Sequence, residues 1–232
     1  HFACWITSLQ HTSVMSSVVL VTTTPIWVAI LSPLFLKEKM SFRIGMGLII
    51  ALAGSILITM GQNCDFVDQK ILCSFDDLSF SSNIIIGNML AIFGAFAAAG
   101  YVMIGRKLRK TVDFSSYILW VYSISSVVLL FFTVLFGYKL WGYSLKAYFF
   151  MMLLAIIPQL LGHSLLNWLL GFLPAIYVAI SLLGEPIGSS LLAFIFLQES
   201  PTIIEIIGAC IILAGILVTI TTTKSSKILL TQ

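Results

Sequence analysis

PAIYVAISLLGEPIGSSLLAFIFLQE, residues 174–199, is the stretch from which the rest of the chain can be read. It is apolar over the roughly 20 residues that a helix needs to cross a bilayer. Halfway along it carries an acid beside a proline, Glu185-Pro186. An offset of 161 residues sets Pro25 against Pro186, Thr24 against Glu185, and Phe35-Leu36-Lys37-Glu38 against Phe196-Leu197-Gln198-Glu199. Compared without gaps, 25–57 and 186–218 share 11 of 33 residues, among them the proline, Glu38/Glu199, Gly47/Gly208 and Gly54/Gly215. Random apolar sequence shares leucine and isoleucine readily, but not Pro, Glu and two Gly in register, so the duplication is real.

The surrounding composition fits a chain dissolved in lipid. It is 59% hydrophobic and 9% charged, with mean hydropathy +1.09. A soluble domain carries about a quarter of its residues charged. Seven stretches are apolar enough to span: 14–36, 41–60, 84–105, 116–137, 147–170, 175–197 and 202–222. Residues 1–11 read as the tail of an eighth, because His1 already lies in an apolar run. That run lacks the basic leader and small-residue cleavage site of a secretory signal. The net charge of +3 is too small to argue for a nucleic-acid partner.

Lys and Arg near helix ends orient the spans. With the Lys37, Lys39 and Arg43 connection placed inside, Arg106, Lys107, Arg109, Lys110, Lys224 and Lys227 also fall inside, and only Lys70, Lys139 and Lys146 fall outside. The two repeat copies are then five spans apart, an odd number, so they cross in opposite directions. Inverted repeats of this kind are a hallmark of secondary transporters. The long connection 61–83 falls outside, with Asp65, Asp68, Asp76 and Asp77 against one lysine. Its Cys64 and Cys73 either close a short disulfide in an oxidising exterior or remain free thiols. Cys4 and Cys210 lie in apolar spans as small apolar residues, and no cysteine spacing suggests a metal.

The segments TTTPIWVAILSPLFLKEKMSFRIGMGLIIALAGSILI (22–58) and LLGEPIGSSLLAFIFLQESPTIIEIIGACIILAGILV (182–218) resemble the paired repeats of EamA-type transporters of the drug/metabolite transporter superfamily. The span ending in Gly-Arg-Lys-Leu-Arg (105–109) resembles that family's sixth helix. The resemblance implies an all-α integral membrane protein, a ten-helix, five-plus-five inverted bundle with both ends in the cytoplasm. On that plan the chain holds the end of helix 3 and helices 4 to 10, and helices 1 and 2 are expected upstream of His1. Residues 1–60 then close the first repeat, 61–83 form an extracytoplasmic loop, 84–222 make the second repeat and 223–232 a cytoplasmic tail.

Glu185 is the foremost functional candidate. A carboxylate deep in a span faces a partner or a wet cavity, so it reads as a proton- or cation-coupling group. The competing reading has it hydrogen-bond the Leu182 carbonyl that Pro186, having no N–H, leaves unpaired. Gln159, His163 and Asn167 lie at i, i+4 and i+8 on one helix face, with Trp168 beside them. They read as a substrate-contacting stripe or as interhelical hydrogen bonds that hold the bundle. Thr24 joins them as a candidate substrate contact, although Thr22, Thr23 and Thr24 ahead of Pro25 also suit re-satisfying the backbone at a kink. Pro25 and Pro186 are the helix-kink candidates. Glu38 and Glu199 read as ordering tight turns, and Thr202-x-x-Glu205 as a capping box. The rows Gly47, Ala51, Gly54 and Gly87, Ala91, Gly94, Ala98 read as helix-packing faces.

No GxSxG, HExxH, P-loop or paired aspartates within a span indicates catalysis, and nothing calls for a cofactor. The expectation is a membrane exporter of a small organic metabolite or drug-like solute, not an enzyme. It works by alternating access in the cell membrane, and its partners are the lipid bilayer and its substrate, with a homodimer left open. The rivals are a seven-helix receptor or sensor and, within the superfamily, a nucleotide-sugar or phosphate-ester exchanger. The latter wants buried Lys or Arg, and no span here carries one near mid-depth.

Overall fold

The computed structural model describes residues 1–38, 40–61, 64–67, 70–73, 82–198 and 201–228. Among them, seven helices are long and apolar enough to cross a membrane: Ser16–Phe35, Phe42–Thr59, Ser82–Leu108, Phe114–Leu135, Leu145–Leu169, Ala175–Phe196 and Ile203–Thr221. They coincide with the seven expected spans to within a few residues. A short helix α1 (Phe2–Ser8) precedes them.

Several helices start where the sequence supplies an oxygen to an otherwise orphaned N–H. Ser13 accepts from Ser16 N–H at the head of α2 (Val14–Val21), and Ser41 accepts from Ile44 N–H at the head of α4 (Phe42–Gly61). At the head of α11 (Ile203–Ile228) the capping box forms in both directions. Thr202 N–H donates to Glu205 Oε2 at 2.7 Å and Glu205 N–H donates to Thr202 Oγ1 at 3.2 Å.

Proline and hydroxyl residues break two of the spans. The first is α2 followed by α3 (Thr24–Phe35). Another is α9 (Ala175–Ser181), a tight 3₁₀ turn at Leu182–Gly184, α10 (Glu185–Leu192) and a wide π-type segment at Ala193–Leu197. The span Leu145–Leu169 is also composite: α7 (Leu145–Leu154), π-type turns at Ala155–His163 and α8 (Ser164–Leu169). Pro158 lies inside those turns, where a missing N–H favours a shifted hydrogen-bond register.

The connection after α4 contains an antiparallel hairpin, β1 (Cys64–Val67) and β2 (Lys70–Cys73), whose register sets Cys64 directly opposite Cys73. Their side chains, and hence the disulfide question, lie outside the described residues.

The chain divides into two compact units, 1–103 with 175–232, and 104–174. Compactness therefore groups the helices differently from the sequence repeats. In the larger unit α4 and α11 form the tightest seam. A Cβ on Gly47 would lie 2.7 Å from Gly215 O, and one on Gly54 would lie 2.6 Å from Gly208 O. Since Gly47 is the repeat counterpart of Gly208 and Gly54 that of Gly215, each contact is the image of the other. The seam thus packs the two repeats face to face as a local two-fold would. Ala51, fully buried, completes the row. On α5 (Ser82–Leu108) Gly87 packs on Thr12, and Gly94 packs on α1. The buried alanines there are Ala91, Ala95 and Ala99, while Ala98 of the expected row is only half-buried.

The two repeats also end alike. Lys37 (φ 56°) and Gln198 (φ 59°) are the only non-glycine residues with left-handed backbone among those described, and they are repeat counterparts. Such a residue closes a helix and turns the chain sharply.

Candidate functional site

The two proline breaks are repeat counterparts, and both proline side chains are buried. Each proline deprives the carbonyl four residues back of its donor: Val21 for Pro25 and Leu182 for Pro186. The two halves repair the loss differently. In the first, Thr24 Oγ1 donates to Val21 O at 2.8 Å, with Ala95 O of α5 3.3 Å away. Thr22 and Thr23 likewise donate to Val19 O and Leu20 O. Thr24 is buried, and its hydroxyl is committed to the backbone.

In the second half the backbone alone does the repair. The 3₁₀ turn lets Glu185 N–H reach Leu182 O, so the carboxyl side chain is not needed there. Glu185 is the eleventh residue of the 22-residue span Ala175–Phe196 and opens α10, where the helix dipole favours a negative charge. It is exposed, and among the described residues no donor is bonded to its carboxylate. A mid-span carboxylate left over once the backbone is satisfied is available to a proton, a cation or a polar solute.

The smaller unit carries the second constellation. Asn167 is fully buried, and its Nδ2 donates to His163 O at 2.8 Å. Gln159 and His163 are half-buried, and Trp168 is exposed with its ring 4.7 Å from Phe172. The four therefore share a helix but not an environment: Asn167 sits in the packing while Trp168 looks out. Three polar groups whose partners only the fold reveals support this helix. Tyr122, on α6 (Phe114–Leu135), donates to Gln159 O at 3.1 Å and lies 2.9 Å from Ser164 Oγ, tying down the π-type turns. Arg106 donates to Leu170 O at 2.9 Å and Arg109 Nε to Asn167 O at 3.3 Å, so both cations bind terminal carbonyls of α8 and its exit. Arg109 also lies 5.3 Å over the Phe114 ring. A tyrosine in an apolar span and arginines just past a helix end were visible in the sequence, but spacing alone does not say which carbonyl they meet.

Glu38 has a partner far from its own turn. Its Oε2 accepts the backbone N–H of Ala175 at 3.0 Å, across 137 residues. Among the described residues no group of three or more His, Cys, Asp or Glu is placed to hold a metal.

Seven membrane-length helices, two of them broken at repeat-related prolines, and a two-fold glycine seam define a multi-pass helical membrane protein. Comparison with known proteins specifies it further. The chain matches the EamA-like transporter family over residues 1–60 and 85–221 and belongs to that family. It is 24% identical over 214 residues to the uncharacterized transporter YdfC of Bacillus subtilis, covering 92% of this chain and 65% of that protein. It is 22% identical over 213 residues to an uncharacterized transporter of Archaeoglobus fulgidus, covering 91% and 68%. The chain thus spans about two thirds of the length of these relatives. A crystal structure with 14% sequence identity superposes with a TM-score of 0.71 over 96% of this chain and 72% of its own, which shows the fold.

Proposed function

We propose that this chain forms most of a secondary transporter that exports a small organic metabolite or drug-like solute by alternating access, with Glu185 as the coupling group. The observation that carries the reading is the asymmetric repair of the two proline breaks. Thr24 spends its hydroxyl on the Val21 carbonyl, whereas the Leu182 carbonyl is met by a backbone N–H and, among the described residues, no donor meets the Glu185 carboxylate. An ionisable group in the middle of a membrane span is costly, which favours a functional role for it.

In the mechanism, the breaks at Pro25 and Pro186 are where the two spans bend as the repeats rock, and Glu185 exchanges its proton or cation against solute. The basic Lys37–Arg43 connection lies in the cytoplasm, as does the C-terminus, and the membrane is the cell membrane. Gln159, His163 and Trp168 are proposed as solute contacts. Thr24, whose hydroxyl donates to Val21 O, and Asn167, whose amide nitrogen donates to His163 O, shape the backbone of their own helices. An exchanger of phosphate esters is disfavoured: Arg106 and Arg109 bind carbonyls near the helix end, and no span carries a cation near its middle.

The test is efflux from proteoliposomes of a panel of amino acids, nucleosides and cationic dyes, with and without an imposed pH gradient. At least one panel class is expected to leave faster than from protein-free vesicles. Glu185→Gln is expected to abolish the response to the gradient. Flux by E185Q with the native pH profile removes Glu185 from coupling, and absence of flux across the panel counts against the exporter reading.

A further inference from the structure

Glu38 sits where α3 ends, directly after Lys37, whose left-handed backbone turns the chain back on itself. Its carboxylate accepts the first N–H of α9, at Ala175. The repeat explains why α9 needs this help. Ala175 is the counterpart of Val14, the first residue of α2, and the residue before it is Pro174 where α2 has Ser13. Ser13 caps its own helix with its hydroxyl. Proline has no side-chain oxygen to offer, so the head of α9 takes its acceptor from the other repeat. The bond joins the tail of one broken span to the head of the other, and α3 and α9 pack together beneath it, with Val28, Ala29, Ile176, Val178 and Ala179 buried.

We propose that Glu38 is a latch. By capping α9 across the fold it holds the Lys37–Arg43 end of the bundle shut, and the Glu38–Ala175 bond breaks whenever that end opens. A carboxylate on a helix N-terminus gains both a hydrogen bond and the favourable dipole. Both gains depend on α3 and α9 staying together, so they bias the equilibrium toward the closed end. The equivalent helix head, at Val14, carries a local cap, the Ser13 hydroxyl accepting from Ser16 N–H.

The inference rests on the alternating-access reading, but its test needs no substrate. Cys4, Cys64, Cys73 and Cys210 are replaced by serine, and a single reporter cysteine is introduced as Ile176→Cys, at a buried site beneath the latch. Labelling by a membrane-impermeant maleimide is timed with the protein in lipid nanodiscs. Glu38→Ala is expected to raise the labelling rate about tenfold, the scale of a lost helix cap. Glu38→Gln, whose amide oxygen still accepts a hydrogen bond, is expected to fall short of that increase. A control cysteine, Ala51→Cys in the glycine seam, is expected to label at the native rate throughout. Equal I176C labelling in native and E38A protein overturns the latch, as does E38Q labelling as fast as E38A. A parallel rise at A51C also overturns it, because that is general loosening. Failure here leaves the transport reading standing, since that reading is judged by flux.

Discussion

Replacing Gly54 by alanine puts a methyl group where two backbones already touch. The new Cβ would lie 2.6 Å from Gly208 O and 2.7 Å from Ile212 N, both main-chain atoms of α11. Ordinary contact begins near 3.4 Å, so α4 and α11 would have to part by roughly 0.8 Å at that point (3.4 − 2.6). Overpacking of this kind costs about 1–3 kcal/mol. For a chain of this length each kcal/mol moves the unfolding midpoint by about 2–4 °C, so the drop should be roughly 2–12 °C. Gly45, on the same helix, has nothing within 4 Å of its Cβ position. Alanine there should gain about 0.5–1 kcal/mol from helix propensity. Gly215→Ala, whose Cβ would lie 2.6 Å from Ala51 N, should match G54A. The double variant should cost less than the sum, because one separation of the helices relieves both clashes. The assay is the midpoint of heat-induced loss of the monodisperse peak in detergent. Equal midpoints for G54A and G45A would refute the seam as described.

Two further outcomes follow from single hydrogen bonds. Thr24→Ala strands the Val21 carbonyl beside Pro25 and should destabilise by about 1–3 kcal/mol in the same assay, whereas Thr24→Ser should restore most of the loss; a serine variant as weak as alanine would show that the methyl group matters and the hydroxyl does not. At the head of α6, the Ser116 backbone N–H at 2.9 Å, and then its hydroxyl, hold the Asp113 carboxyl below its ordinary value. A lowered value means that this cap contributes fully above the unfolded carboxyl value, near 3.9, and is lost as pH falls through the folded one. Amide exchange at Ser116, taken as a ratio to Asp113→Asn protein at each pH, should therefore rise below about pH 4; a flat ratio would contradict the assignment.

The sequence was most legible where a residue's role is set by near neighbours or by exact repetition. The spans followed from apolar length, the capping box from Thr202-x-x-Glu205, and the inverted repeat from a proline, an acid and glycines in one register. The glycine rows told that close packing would occur but not with which partner; the structure shows Gly47 on Gly215 and Gly54 on Gly208. The hydroxyl-rich stretch before Pro25 satisfies the break there. Glu185 was harder, because two repairs of the Leu182 carbonyl were open and sequence does not reveal that the local turn tightens to bring the residue's own N–H into range. Sequence places Glu38 at its own turn, and its bond to Ala175 is not legible there because a cap supplied by another helix has no fixed spacing. Pro158 was the overlooked signal for the widened turns around Gln159.

The glycine seam also has a consequence for how the molecule is made. α4 is complete at Gly61, but the helix it fits begins at Ile203, 142 residues later. At roughly 5–20 residues per second of synthesis, α4 waits on the order of ten seconds in the bilayer with its small-residue groove facing lipid. A chain that stopped before Ile203 would keep that groove open for good. Ribosome pausing between the two helices, or an early stop, should therefore be felt as exposure to membrane proteolysis long before any effect on solute movement could be registered.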